Sequence, residues 1–308
     1  MSLPRLLSDP LRLPLEQRVA THLGRPWQVA HAEDMADAAS HPAAVLSDGT
    51  YAVFVKLAEG SGAWDRTTRE IEGLVTLTAR AGVLTPPAIG AVAVGGVSGA
   101  GGLGGDVVLL ILEAVDPIKR RRQQWREMGQ TLARIHSVKG ELYGFESHNY
   151  WGSLRQDNTP HAHWVDFYRA CRLALRLQAA VDGGHLPPDV AGRVERLSER
   201  LPDLAGPPVA PSLLHGDAHH NNFITTAQGP YLIDPAVYYG HPEMDLAYID
   251  FFAPVPEAFF AGYREIAPID ADFAERRDLW RIPAWLALVE VGGPEYLDDL
   301  LAALRRYV

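Results

Sequence analysis

The sequence predicts an α+β protein in two lobes, a small β-rich lobe over residues 1–115 and a larger helical lobe over 116–308. Three observations carry that prediction. Short apolar runs in the first 115 residues surround Asp48-Gly49, a strong hairpin signal. A single amphipathic helical pattern interrupts them. After Pro117 long helical patterns take over.

In chain order, a helix spans about Leu15 to Leu23 and stops at Gly24. "WQVAHA", "AAVLS" and "YAVFVKLA" read as strands, the last two flanking the Asp48-Gly49 turn. In "WDRTTREIEGLVTLTARAG", Ile71, Leu74, Val75 and Thr78/Ala79 recur at helical spacing, and Gly82 suits a C-cap. "PPAIGAVAV" and "DVVLLILEAV" are two further strands. Helical patterns follow at about 119–138, 163–182 and 188–202. Next come a polar loop, a short strand pair ("NFITT", "YLID") and more helix. The glycine run Gly95 to Gly105 matches the dinucleotide fingerprint at Gly99–Gly104. That fingerprint needs a helix after it, whose N-terminus binds the pyrophosphate. A strand follows here, so the run reads as a hairpin loop.

Composition narrows the function classes. The formal net charge is −10 and no long basic stripe offsets it, which argues against a nucleic-acid partner. The block "KRRRQQWR" (Lys119 to Arg126) reads as the solvated face of a helix rather than an anion site. The one cysteine, Cys171, lies in a helical pattern and has no internal disulfide partner, which fits a reducing compartment. The N-terminus lacks signal-peptide features and no apolar run reaches membrane-spanning length. The expectation is a soluble cytoplasmic protein.

The chemistry concentrates in "LLHGDAHHNNFI" (Leu213 to Ile224). Asp217 is followed by Asn222 and, after a strand and its return, by Asp234. A hairpin would set Asn222 beside Asp234, with Asp217 at the head of the loop. These are hard oxygen donors, and Mg²⁺ takes a few such ligands together with phosphate oxygens. A base, a metal-binding Asn and a metal-binding Asp are the parts of a phosphoryl-transfer site. Upstream, Lys56 ends a strand where kinases keep a phosphate-pairing lysine, and Glu70 on the following helix can pair with it. Glu72 is the alternative partner, but it faces away from Glu70.

"HGDAHHNNF" together with "LIDPAVYYGHPEMDLAYIDFF" is similar to the fructosamine kinase (ketosamine-3-kinase) family, in the aminoglycoside-phosphotransferase branch of the protein-kinase-like fold. "VFVK", "REIEGL", "LILEAVD", "LARIHS", "YGFESHNYWGSLRQDN" and "WVDFYRACRL" follow family order. The resemblance covers about residues 25–265 and extends more loosely to the end. It implies Asp217 as catalytic base, Asn222 and Asp234 as metal ligands, and Lys56 with Glu70 as the phosphate anchor. It also implies that Glu113, Ala114 and Val115 form the adenine-binding hinge. The implied reaction is ATP- and Mg²⁺-dependent phosphorylation of the 3-hydroxyl of a ketosamine, whose product releases the amine and so repairs glycation. The ketosamine is free or protein-linked, and no oligomeric state is implied.

Two departures bear on the substrate. Relatives carry Leu-Trp-Ser-Gly where this chain has Ala218-His219-His220-Asn221. That puts His219 beside the base, where the sugar would sit, and makes it a candidate substrate residue; His215, just before Gly216, reads first as a brace of the loop through hydrogen bonds and is also kept as a candidate substrate residue. No glycine occurs in "AEDMADAASHPAAVL" before Lys56, so the phosphates must be covered differently. The alternatives are a phosphotransferase for an aminoglycoside or choline-like amine, a nucleotide-binding pseudokinase, and a zinc hydrolase. The last would use His215, Asp217 and His219, with His136 or His241.

Overall fold

The computed structural model describes residues 2–35, 42–95 and 107–308. Most of the glycine-run loop and part of the segment expected to cover the phosphates lie outside the described residues. The chain divides into two compact units, Met1–Val75 with Thr85–Ile118, and Thr76–Leu84 with Lys119–Val308.

The first unit contains α1 (Ser2–Leu6), α2 (Asp9–Leu23), β1 (His31–Asp34), β2 (Ala43–Ser47), β3 (Ala52–Glu59), most of α3 (Ala63–Ala81), β4 (Ala88–Val94) and β5 (Val107–Glu113). Its sheet is antiparallel, in the order β1-β2-β3-β5-β4. Helix α2 begins earlier than its apolar pattern suggests. Pro10 suits a first turn, where no N–H is needed, and Arg12 bridges Asp9 and Glu16 at 2.6 and 3.0 Å. Gly24, at φ 64°, ends it. Strand β1 begins at His31 rather than Trp27. The Trp27 indole N–H donates instead to the Tyr51 carbonyl (3.1 Å), so a side chain anchors that stretch. Between β2 and β3, Asp48 accepts from the N–H groups of Thr50 and Tyr51, both at 2.8 Å.

Strand β5 lies inside the sheet, which explains its unbroken apolar run. Val107, Leu109 and Ile111 pack with Leu11, Leu15 and Val19 of α2, while Leu110 and Leu112 pack with Leu74 of α3. In β3, Val53, Val55 and Leu57 join the α2 side. Strand alternation therefore turns Lys56 toward α3.

The second unit opens with α4 (Arg122–Ser137) and a hairpin of β6 (Asn149–Trp151) and β7 (Leu154–Gln156). One continuous helical stretch follows, made of α5 (Trp164–Phe167), a π-helical segment (Tyr168–Ala174) and α6 (Leu175–Asp182). Then come α7 (Pro188–Leu204), β8 (Ser212–Leu214), β9 (Phe223–Thr226), β10 (Gly229–Leu232), β11 (Tyr238–Gly240), α8 (Glu243–Tyr248), α9 (Glu257–Arg264), α10 (Phe273–Gly292) and α11 (Leu297–Leu304). Strands β8 and β11 pair across the polar loop and the β9–β10 hairpin, which therefore leave and re-enter the core at one place.

The basic block corrects one expectation. Lys119, Arg121 and Arg122 are solvated, but Arg120 turns inward. Its guanidinium lies over Trp125 (5.2 Å) and donates to the Phe223 carbonyl. Cys171 is buried, and burial pushes its thiol up to about 11, so it stays an unreactive packing group.

Candidate active site

In the first unit, Lys56 Nζ donates to both carboxylate oxygens of Glu70, at 3.0 and 2.9 Å. Both side chains are largely shielded. Glu72 is exposed and pairs with Arg69, so the alternative partner is excluded by the helix face it occupies. At the end of β5, the Glu113 N–H donates to Pro87 (2.9 Å) and the Ala114 N–H to Ala52 (3.1 Å). Those two donors are spent. Among the described residues no acceptor takes the Val115 N–H, which leaves it the one donor of the three open to a ligand.

In the second unit, the loop is built around backbone hydrogen bonds. Gly216 sits at φ +84°, and a Cβ there would lie 2.0 Å from the Ala236 carbonyl oxygen. No other residue fits. The Ala236 N–H donates to the His215 carbonyl at 2.8 Å, which closes the contact. Asp217 follows. Asn222 Nδ2 donates to its main-chain oxygen (2.8 Å) and to its carboxylate (3.1 Å). That commits the nitrogen end of the carboxamide and leaves Oδ1, a hard donor, for another partner. The hairpin pairs Phe223 with Leu232, and the Ile233 N–H donates to Asn222 (3.1 Å). Asn222 and Asp234 therefore leave the same end of the ladder. Asp234 holds φ 53°, the only non-glycine residue at positive φ among those described. Such backbone is held by its surroundings and often marks a functional site.

Burial pushes the Asp217 carboxyl above the usual carboxylate range, while His219, a hydrogen bond from Trp151 and His215 pull the other way. His219 Nε2 lies 3.7 Å from Asp217 Oδ2.

His215 does not reach a substrate, which corrects one candidate. It is 0% exposed, its Nε2 faces the Ile233 carbonyl (3.0 Å), and its Nδ1 accepts from the Asp217 N–H (3.3 Å). Both ring nitrogens are spent on bracing the loop, and burial holds its pKa down. The zinc set fails for the same reason. His136 is likewise occupied, with Nδ1 at Tyr263 (2.7 Å) and Nε2 at Asp245 (3.1 Å). Among the described residues no group of three or more His, Cys, Asp or Glu could hold a metal ion.

Sequence reasoning missed Asp245. It lies in α8 at 0% exposure and accepts from the N–H groups of His215 (2.7 Å) and Gly216 (3.0 Å). With the His136–Tyr263 chain behind it, it fixes the strand-to-loop turn that presents Asp217. The available signal was an aspartate amid the apolar residues of "EMDLAYI". Trp151, from the β6–β7 hairpin, was also missed.

The sequence profile described as "Fructosamine kinase" matches residues 14–308. The chain belongs to the fructosamine kinase family. It is similar to the probable ketoamine kinase slr1563 of Synechocystis, with 28% identity over 270 residues, covering 87% of each chain. It is 30% identical over 206 residues to the probable ketoamine kinase YniA of Escherichia coli, covering 64% of this chain and 71% of that one. Among solved structures, a protein provisionally named fructosamine-3-kinase from Thermobifida fusca superposes with TM-score 0.79 at 27% identity, over 95% of this chain and 98% of the other. Aminoglycoside phosphotransferase APH(4)-Ia superposes with TM-score 0.58 at 14% identity, over 94% and 96%, a likeness of fold alone. The fold is thus the α+β, protein-kinase-like fold of these phosphotransferases, and the family makes the chain an ATP-dependent phosphotransferase. Among the described residues no helix is long and apolar enough to cross a membrane.

Proposed function

We propose that this fructosamine kinase family member is a Mg²⁺-dependent ketosamine 3-kinase, with Asp217 as the base. One observation carries the reading: Asn222 binds Asp217 through its amide nitrogen and keeps its oxygen for a cation. Asp217 is thereby left to the acceptor, and the raised proton affinity that burial gives it suits a base.

The donor set fits Mg²⁺, which favours hard oxygens and keeps several non-protein ligands. Asn222 Oδ1 and the Asp234 carboxylate would hold it, and it would neutralise charge on the phosphates. Lys56, oriented by Glu70, would hold phosphate oxygens. The Val115 N–H, with the Glu113 and Ala114 carbonyls, would meet the adenine. Asp217 would orient the sugar 3-hydroxyl and accept its proton. The new bond joins that oxygen to the γ-phosphorus, and the bond from the γ-phosphorus to its bridging oxygen breaks, releasing ADP. His219 would line the acceptor side.

The test is a panel of fructose-, ribulose- and erythrulose-derived amines with aminoglycosides and choline-like amines, each with ATP and Mg²⁺, scored by phosphate transfer. Transfer to ketosamines is expected. Preferential transfer to aminoglycosides, nucleotide binding without turnover, or zinc-dependent hydrolysis without ATP would overturn it.

A further inference from the structure

Phe252 is 58% exposed, yet it is held in place. Its ring meets Phe251 edge-on at 5.1 Å, and Phe251 lies 4.4 Å from Trp285. The preceding Asp250 is gripped by Arg277 and Arg281, and the Arg281 guanidinium lies over Phe251 at 5.8 Å. The segment is pinned while one phenyl ring stays in water. That ring also meets His219 edge-on at 5.1 Å, and His219 Nε2 is 3.7 Å from Asp217 Oδ2. Phe252 is therefore one ring removed from the proposed base.

Resting on the ketosamine reading above, we infer that Phe252, with His219, is the subsite for the amine half of the acceptor, and that this half is apolar. In a ketosamine the amine is on C1 and the reacting hydroxyl on C3. With that hydroxyl at Asp217, the amine substituent emerges one short step from the base, at the distance scale of the His219–Phe252 pair. The sugar's hydroxyls would find polar partners at the loop in the Asp217 carboxylate and the His219 ring. A phenyl ring offers those hydroxyls no hydrogen bond. It gains only by covering apolar surface, which an aliphatic or aromatic amine supplies and glycine does not. A rigid ring already in position also loses little side-chain entropy on binding.

The experiment is a panel with one sugar and three amines: glycine, butylamine and phenethylamine. Initial rates are measured with Mg²⁺ and ATP for the wild type, Phe252→Ser and Phe252→Leu. The wild type should favour the phenethylamine acceptor over the glycine one by about tenfold or more in kcat/KM. Phe252→Ser should erase most of that preference through KM, Phe252→Leu should retain much of it, and the KM for ATP should hold in both. Thermal melts of the variants separate misfolding from a lost contact. A wild type indifferent to the amine or favouring glycine, or a Phe252→Ser enzyme that keeps the preference, overturns this inference alone. No transfer to any ketosamine overturns the substrate reading and this inference together.

Discussion

Replacing Asp245 by asparagine tests how the catalytic loop is held. The carboxylate accepts from the N–H groups of His215 at 2.7 Å and Gly216 at 3.0 Å, and faces His136 Nε2 at 3.1 Å. In Asp245→Asn, Oδ1 can still serve Gly216. His136 can change tautomer, giving its proton to Tyr263 and accepting from the new amide. The His215 N–H then faces a donor and is stranded, because the site is fully buried. One stranded buried donor costs about 1–3 kcal/mol. A central value of about 2 kcal/mol lowers the melting temperature of a unit this size by roughly 4–8 °C. Relief of the clash moves the turn before Asp217, and misplacement by about 1 Å costs about 10²-fold in rate. The assays are thermal unfolding and steady-state kinetics. A kcat loss near that size, together with the lower melting temperature, is expected. A variant that melts with the wild type and keeps its kcat would refute the reasoning, since Asp245 would then hold nothing that matters to the base.

Asp217→Asn should lower kcat by about 10² to 10⁴ while the KM for ATP changes little, because an amide can orient a hydroxyl but cannot take its proton. Its carboxyl is raised by burial, so in the wild type kcat should begin to fall, as pH is lowered, at a higher pH than an ordinary aspartate would give. The stability sign is opposite: a raised folded-state pKa makes this group destabilising when ionised, so its penalty is relieved as pH falls through that pKa. A pH–kcat profile with an ordinary aspartate limb contradicts the first expectation. Asp234→Asn, chosen because asparagine tolerates the observed φ of 53°, should abolish Mg²⁺-dependent transfer with the melting temperature nearly kept. Lys56→Ala should reduce kcat more than it weakens nucleotide binding, measured by turnover and by titration calorimetry. A rise in the KM for ATP alone would remove Lys56 from the transition state.

Much of this protein was legible in its sequence because the relevant groups are close in the chain or obey a period. The Lys56–Glu70 pair follows from strand alternation and helix phase. The β9–β10 hairpin is local, so the adjacency of Asn222 and Asp234 could be read from spacing. The α+β division followed from the change in apolar periodicity. The family was also readable there, since "HGDAHHNN" and "DPAVYYGHPEMDLA" are contiguous.

Tertiary structure alone decided the rest, for a common physical reason: the partners are distant in sequence or are backbone groups with no residue type to recognise. Asp245 looks like any helical aspartate until the N–H groups of His215 and Gly216 are seen pointing at it. His215 reads from the sequence as a brace of the loop, but its partners, the Ile233 carbonyl and the Asp217 N–H, are seen only in the fold. Arg120 looks solvated until the Phe223 carbonyl turns it inward. The pairing of β8 with β11, too short for any periodicity, sets where the loop leaves the core. Phe252 belongs to an ordinary aromatic pair in the sequence, and only packing leaves one ring of that pair half-buried against Trp285 and the other exposed beside His219.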